Sequence, residues 1–178
     1  SAGSFELATR ALGYSQQTTV GSSGRAININ DRMDMRNCET ILMLSINPAM
    51  SSAGNAIRHY LACKNNGTKF IFVDPRYNES CAVLDGEWIP VRPGTDVALL
   101  LAVAYTMLTD DSESDPLIDW DFLSRCTIGF DADSMPEGED PQGNFKDYVL
   151  GTYDDTPKTP EWASAICGTP VEQITKLA

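Results

Sequence analysis

Two short, nearly continuous apolar runs place the strongest limit on what this chain can fold into. Thr40-Ile41-Leu42-Met43-Leu44-Ser45-Ile46 and Lys69-Phe70-Ile71-Phe72-Val73 have the pattern of strands covered on both faces. Asn47-Pro48 ends the first run and Asp74-Pro75-Arg76 the second. Between them Ser51 and Ser52 stand where a helix cap belongs, and Asn65-Asn66-Gly67 provides a left-handed stop after about Lys64. A strand-helix-strand connection of this length is a right-handed parallel crossover with the helix packed on the sheet. A third strand, Glu87-Trp88-Ile89-Pro90-Val91, leads through Arg92-Pro93-Gly94 into a helix from about Thr95 to Leu108, capped by Thr95 or Asp96. Its body, Ala98 to Ala104, is apolar on nearly every face, so deep burial is expected. The expected fold is α/β with a mainly parallel, doubly wound sheet.

After Asp110 the character changes. Residues 110–155 hold fourteen acidic and two basic side chains, which accounts for the whole formal charge of −12. The rest is neutral overall and can accept a phosphate, whereas a uniformly acidic surface would repel one; no nucleic-acid partner is expected. Short helices are expected over Trp120 to Arg125, Phe145 to Leu150, Pro160 to Ile166 and Pro170 to Leu177, between Gly/Pro/Asp-rich loops. Thr159-Pro160 and Thr169-Pro170 read as caps with a first-turn proline, and Glu172 completes a capping box with Thr169. The 178 residues suit one domain: a nucleotide-cradling core over 1–109 and an acidic extension over 110–178.

Five scattered cysteines, Cys38, Cys63, Cys81, Cys126 and Cys167, form no metal or redox pair, and several sit in apolar runs as small hydrophobes. His59, the single histidine, lies mid-helix, where a surface or packing role is expected. The longest apolar run, Val97 to Tyr105, is too short to cross a bilayer. A start at Ser1-Ala2-Gly3 without methionine and a stop inside a helix at Ile174 to Ala178 are what an excised piece would show.

Three strands thus end in constrained polar turns: Ser45 to Pro48, Val73 to Arg76, and Arg92 to Asp96. In a parallel sheet these share one edge, where ligands bind against helix N-termini. The pattern marks a nucleotide or phosphate crevice without the G-x-G-x-x-G of a dinucleotide site. A carboxylate there can accept the paired N1–H and N2–H donors of guanine. Asp74 and Asp96 are the candidates, with Arg76 and Arg92 for phosphate; alternatively Asp74 is a turn residue before Pro75 and Asp96 a helix cap.

Phe70 to Tyr77, followed by Gly86-Glu87-Trp88-Ile89-Pro90-Val91-Arg92-Pro93-Gly94-Thr95-Asp96 and an alanine/leucine helix, closely resembles the molybdenum bis-guanine-dinucleotide oxidoreductases. Phe145 to Gly151 and Lys158 to Ala163 resemble the dimethyl sulfoxide reductase branch in particular. The resemblance covers essentially the whole chain. It implies a Rossmann-like three-layer αβα domain holding one guanine dinucleotide of a molybdenum bis(molybdopterin guanine dinucleotide) cofactor. Asn47, Ser51 and Ser52 match a loop that approaches the cofactor, Val73 and Asp74 residues at the guanosine, and Gly94, Thr95 and Asp96 the turn that closes on the same nucleotide. Gly13 to Gln17 is similar to the segment that supplies a serine oxygen to molybdenum, which makes Ser15 a metal ligand and the catalytic candidate. Many members have a second asparagine where Ile46 stands, so one polar contact is expected to be lost or moved.

The resemblance implies oxygen-atom transfer at an S-oxide or N-oxide in the intact enzyme. Formate, nitrate or thiosulfate chemistry in the same superfamily and a stand-alone nucleotide-binding module are the rivals. It further implies a 4Fe-4S cluster in an N-terminal part not contained here, an iron–sulfur electron-transfer subunit, a membrane anchor and export by the twin-arginine route. The fragment alone is expected to be inactive and not itself membrane-inserted.

Overall fold

The computed structural model describes residues 34–50 and 56–178. Among these, β1 (Thr40–Leu44), β2 (Lys69–Asp74) and β3 (Glu87–Pro90) form a parallel sheet in the order β1-β2-β3. Leu44 pairs with Val73, Val73 with Ile89 and Asp74 with Pro90, so the three carboxyl ends meet at one edge. β1 stops before the expected Ile46 because Ser45 adopts a φ of 49°, which turns the chain out of the pleat although its N–H still donates to Val73 O at 2.9 Å. α1 (Ile57–Asn65) follows β1 and ends as expected, with Gly67 at a φ of 93°. The expected cap at Ser51 and Ser52 lies outside the described residues.

A helix the sequence reading did not anticipate, α2 (Glu79–Leu84), joins β2 to β3. Asn78 caps it, accepting from Cys81 N–H at 2.9 Å. The chain continues through α3 (Asp96–Asp110), α4 (Trp120–Cys126), α5 (Phe145–Leu150), α6 (Pro160–Cys167) and α7 (Val171–Leu177).

Alternate residues of β2 belong to different cores. Phe70 and Phe72 pack with Ile41, Met43, Tyr60, Cys63, Cys81 and Leu84, whereas Val73 packs with Ile89, Leu99, Ala102, Ala163, Cys167 and Ile174. Side chains alternate along a strand, so α1 and α2 cover one face and α3, α6 and α7 the other. Each fully buried side chain such as Phe72, Leu84, Leu99 or Ile174 contributes about 1.5–3 kcal/mol. β1 is covered on one face only: Ile41 and Met43 are buried, while Leu42 and Leu44 are exposed.

Three local expectations are corrected. α3 is buried along one stripe, Ala98, Leu99, Ala102 and Thr106, while Val97 is 70% exposed; its composition is apolar all round, but the sheet and α6 meet only one side. Thr95 occupies the N-cap of α3 without capping it, because its hydroxyl donates to Arg92 O at 2.7 Å. Thr169 likewise forms no capping box with Glu172: its hydroxyl donates to Pro90 O at 2.7 Å, and Pro170 takes the N-cap. The cap at Thr159 is present, accepting from Trp162 N–H at 3.2 Å. Finally, the strand order runs in a single direction, so the described sheet contains no reversal of strand order of the kind a doubly wound sheet has.

Candidate functional site

Because the strands are parallel and in register, the turns after β1, β2 and β3 lie along one edge. The middle turn is built on Asp74. Its Oδ1 accepts from Arg76 N–H at 3.0 Å, a local Asx-type turn, and its Oδ2 accepts from the Asn78 amide at 3.0 Å. The carboxylate is 9% exposed and keeps one acceptor position on each oxygen. Asn78, itself buried, also donates to Ile46 O at 3.3 Å, tying the end of β2 to the turn after β1.

Asn47 is gripped by the first turn of α2. Its amide donates to Glu79 Oε2 at 2.6 Å, and its carbonyl accepts from the Ser80 hydroxyl at 2.6 Å and Ser80 N–H at 3.3 Å. The Ser80 oxygen in turn accepts from Ala49 N–H at 2.8 Å. The backbone bond at the helix start and then the Asn47 amide hold the Glu79 carboxyl below its ordinary range, with Arg76 adding to the effect. Asn78, Glu79 and Ser80 were not singled out from sequence. The signal was a capping asparagine with an acidic first turn ahead of Cys81-Ala82-Val83-Leu84.

The third turn has Pro93 and Gly94 at its centre. Thr95 N–H donates to Arg92 O at 3.2 Å and Gly94 has a φ of 78°, as a turn with proline then a left-handed residue requires. Among the described residues no heavy atom apart from its chain neighbours lies within 4 Å of where a Gly94 Cβ would stand, so these residues leave the backbone there open to close approach. Asp96, half-buried in the first turn of α3, accepts no hydrogen bond on its side chain from the described residues.

The expected residues divide accordingly. Asn47, Asp74, Arg76, Gly94, Thr95 and Asp96 stand along the carboxyl edge. Val73 is fully buried, its side chain in the core and its carbonyl on Ser45. Ser15, Ser51 and Ser52 lie outside the described residues. Arg92 has part of its guanidinium engaged within the fold: its Nη1 donates to Ala165 O and Ile166 O at 3.1 Å each. It thereby closes the carboxyl end of α6, where cations are favoured.

A parallel sheet with three ligand-ready turns and no glycine-rich fingerprint is shared by many nucleotide folds; comparison with known proteins narrows it. Residues 2–168 match the family described as molybdopterin oxidoreductase. The chain belongs to the molybdopterin oxidoreductases. It is 40% identical over 153 residues to dimethyl sulfoxide reductase DmsA of Haemophilus influenzae, covering 84% of this chain and 18% of that protein. To dimethyl sulfoxide reductase DmsA of Escherichia coli it is 37% identical over the same length and shares. It is 34% identical over 151 residues to trimethylamine-N-oxide reductase of Haemophilus influenzae, covering 81% of this chain and 16% of that one. This molybdopterin oxidoreductase chain thus spans less than a fifth of the length of these curated relatives. Among its described residues no helix is long and apolar enough to cross a membrane.

Proposed function

We propose that this domain holds one guanine dinucleotide of a molybdenum bis(molybdopterin guanine dinucleotide) cofactor in an S-oxide or N-oxide reductase. The observation that carries the reading is the carboxylate of Asp96, without a donor among the described residues, beside the Gly94 turn on the edge where β1, β2 and β3 all end. The donor set fits the group. Asp96 offers two acceptor oxygens to the adjacent N–H donors of a guanine edge, and exposed Arg76 and the N–H groups at the start of α3 suit a pyrophosphate. Asp74 supports the site chiefly by fixing the Arg76 and Asn78 turn, with its spare acceptor positions facing the same edge. Asn47, Ser51, Ser52, Val73 and Thr95 complete the proposed lining.

The wider architecture supports a Rossmann-like three-layer unit. The chain places α1 and α2 on one face and then crosses to the other with α3; among the described residues β1 has no second strand neighbour, and Leu42 and Leu44 are exposed. A further strand beside β1 would complete the reversal of strand order at which nucleotides bind. When bound, the molybdenum cofactor supplies two-electron oxygen-atom exchange; the share of this chain is to bind and orient it, with Ser15 proposed as the protein ligand to the metal. The relatives' names favour dimethyl sulfoxide or trimethylamine N-oxide as substrate class. The same reading includes a 4Fe-4S cluster elsewhere in the polypeptide, an iron–sulfur subunit with a membrane anchor, and twin-arginine export.

The test is cofactor content beside turnover in the intact enzyme. Asp96→Asn presents an amide donor to the guanine donors and forfeits charge-assisted contacts of about 1.5–3 kcal/mol each, so guanine nucleotide released on acid hydrolysis should fall about tenfold or more. Asp74→Ala should also lower occupancy, through the turn. Ser15→Ala should keep the nucleotide and lose turnover. Full occupancy with lost turnover in Asp96→Asn would overturn the assignment.

A further inference from the structure

Three consecutive residues at the start of α2 grip the turn after β1. Asn78 donates to Ile46 O at 3.3 Å, and Glu79 Oε2 accepts from the Asn47 amide at 2.6 Å. The Ser80 hydroxyl donates to Asn47 Oδ1 at 2.6 Å and accepts from Ala49 N–H at 2.8 Å. Among the described residues Asn78 alone of the three also bonds by its side chain to the turn after β2, through Asp74 Oδ2 at 3.0 Å.

The Asn78 side chain has two amide hydrogens and one carbonyl oxygen, and each has its own task. The amide serves Asp74 Oδ2 and Ile46 O, whereas the oxygen accepts from Cys81 N–H at 2.9 Å and caps the helix. The residue is 3% exposed, so water does not readily replace a lost bond. The cap needs only an acceptor, which serine, threonine or aspartate supplies equally well. The ties to two strand ends need two donors, and of the usual capping side chains only asparagine has them.

We propose that Asn78 is a positioning residue of the nucleotide site, holding the Asp74 carboxylate and the Ile46-Asn47 turn at one fixed separation so that both meet the same guanine dinucleotide. The inference rests on the reading of this edge as the cofactor site, and Asn78 acts there through its neighbours rather than by touching the ligand. The Asp74 carboxylate is held by Asn78 on one oxygen and by Arg76 N–H on the other. Without the amide it pivots on a single bond, and the turn after β1 loses its side-chain tie to the end of β2.

Asn78→Asp in the intact enzyme separates the two tasks. The new carboxylate still accepts from Cys81 N–H, so α2 keeps its cap, but it meets the Asp74 carboxylate and the Ile46 carbonyl with acceptors only. Guanine nucleotide retained through dialysis at neutral pH should fall about tenfold or more below the parent. Adjacent carboxylates share a proton as pH falls, which restores one donor, so by about pH 5 retention should return to within about threefold of the parent. Arg76, which acts on Glu79, Cys81, which feels Asp74, and Tyr77 are the other titratable groups at this junction. All are present in both proteins, so comparison with the parent at each pH removes their share. Hydrogen exchange at Cys81 N–H should stay as slow as in the parent.

Retention equal to the parent at neutral pH, while Asp96→Asn empties the site, would overturn the role of Asn78 alone. Loss of equal size at both pH values, or loss accompanied by fast exchange at Cys81, would reduce Asn78 to a helix cap and overturn it as well. If Asn78→Asp gives no folded enzyme, Asn78→Ser decides, since it caps and keeps a single donor. A severalfold loss of nucleotide with Cys81 still protected upholds the positioning role, and retention equal to the parent refutes it. A parent enzyme without guanine nucleotide would overturn the reading of this edge and the role of Asn78 together.

Discussion

Replacing Lys158 with methionine should loosen the segment from α5 to α6 by about 2–4 kcal/mol, because this ammonium is the buried hub of the loop between them. Its side chain is 2% exposed and its Nζ lies 2.8 Å from both carboxylate oxygens of Asp154. It also donates to Thr156 O and stands 4.2 Å from the centre of the Tyr148 ring. Deleting a charge-assisted hydrogen bond costs about 1.5–3 kcal/mol, and the cation–π contact adds about 1–2 kcal/mol. Two effects reduce the sum: the Asp154 side chain is 35% exposed and regains water, and methionine keeps the stem and a sulfur–ring contact of about 1 kcal/mol. Hydrogen exchange in the intact enzyme reads the remainder locally. Amides of α5 and α6 that open with this loop, including Lys158 N–H bonded to Val149 O at 3.0 Å, should exchange roughly thirty- to several-hundredfold faster. The bond from Lys158 holds the Asp154 carboxyl below its ordinary range. The contribution is therefore complete above the ordinary carboxylate range and lost as pH falls through the lowered value, so the two proteins should converge there. Rates within about threefold of each other at neutral pH would refute the hub.

Gly86→Ala should destabilise the α1–α2 side of the sheet by about 1–3 kcal/mol, since its Cβ would stand 2.5 Å from Cδ2 of fully buried Phe72; a denaturation midpoint equal to the parent would contradict this. Arg92→Met should raise exchange at the carboxyl end of α6, because the carbonyls of Ala165 and Ile166 lose their donor. If Arg92 instead held phosphate, nucleotide content would fall while α6 stayed protected. Asp111 accepts from the Trp120 indole at 2.7 Å and from Leu117 and Ile118 N–H at 2.8 and 3.0 Å, and the indole first, then the backbone, lowers its pKa. Protection of those amides should hold above the usual carboxylate range and fade as pH drops through the lowered value; a loss beginning near neutral pH would assign it to another group.

The parts of the fold legible in the sequence are those set by neighbours along the chain. The β2 run, β1 as far as Leu44, the stop at Gly67 and the bounds of α5 depend on local pattern and turn chemistry, and these stand in the structure. α2 was missed because six residues give too little periodicity to separate from a loop, and its identity rests on one capping asparagine. The stripe on α3 was illegible for the opposite reason: with apolar residues on every side, only the position of α6 decides which of them are buried.

The candidate site divides along the same line, and the division bears on what each residue can do. That Asn47, Asp74 and Gly94 share an edge follows from parallel pairing, which strand and crossover lengths already imply. Which polar groups at that edge remain open to a ligand depends on partners far away in sequence. Nothing local to Arg92 shows that its Nη1 is engaged by the carbonyls of Ala165 and Ile166, more than seventy residues on. Thr169 looked like a cap until Pro90 O took its hydroxyl. These long-range bonds fasten the carboxyl end of α6 to the end of β3, and so fix the position of the Arg92 to Asp96 turn. Among the described residues Asp96 therefore has a carboxylate with no hydrogen-bond donor, on a braced backbone, while Asp74 has given part of its acceptor capacity to holding its own turn. A ligand with paired donors meets a rigid acceptor at the first and a shared one at the second, and that difference makes Asp96 the residue whose loss should empty the site.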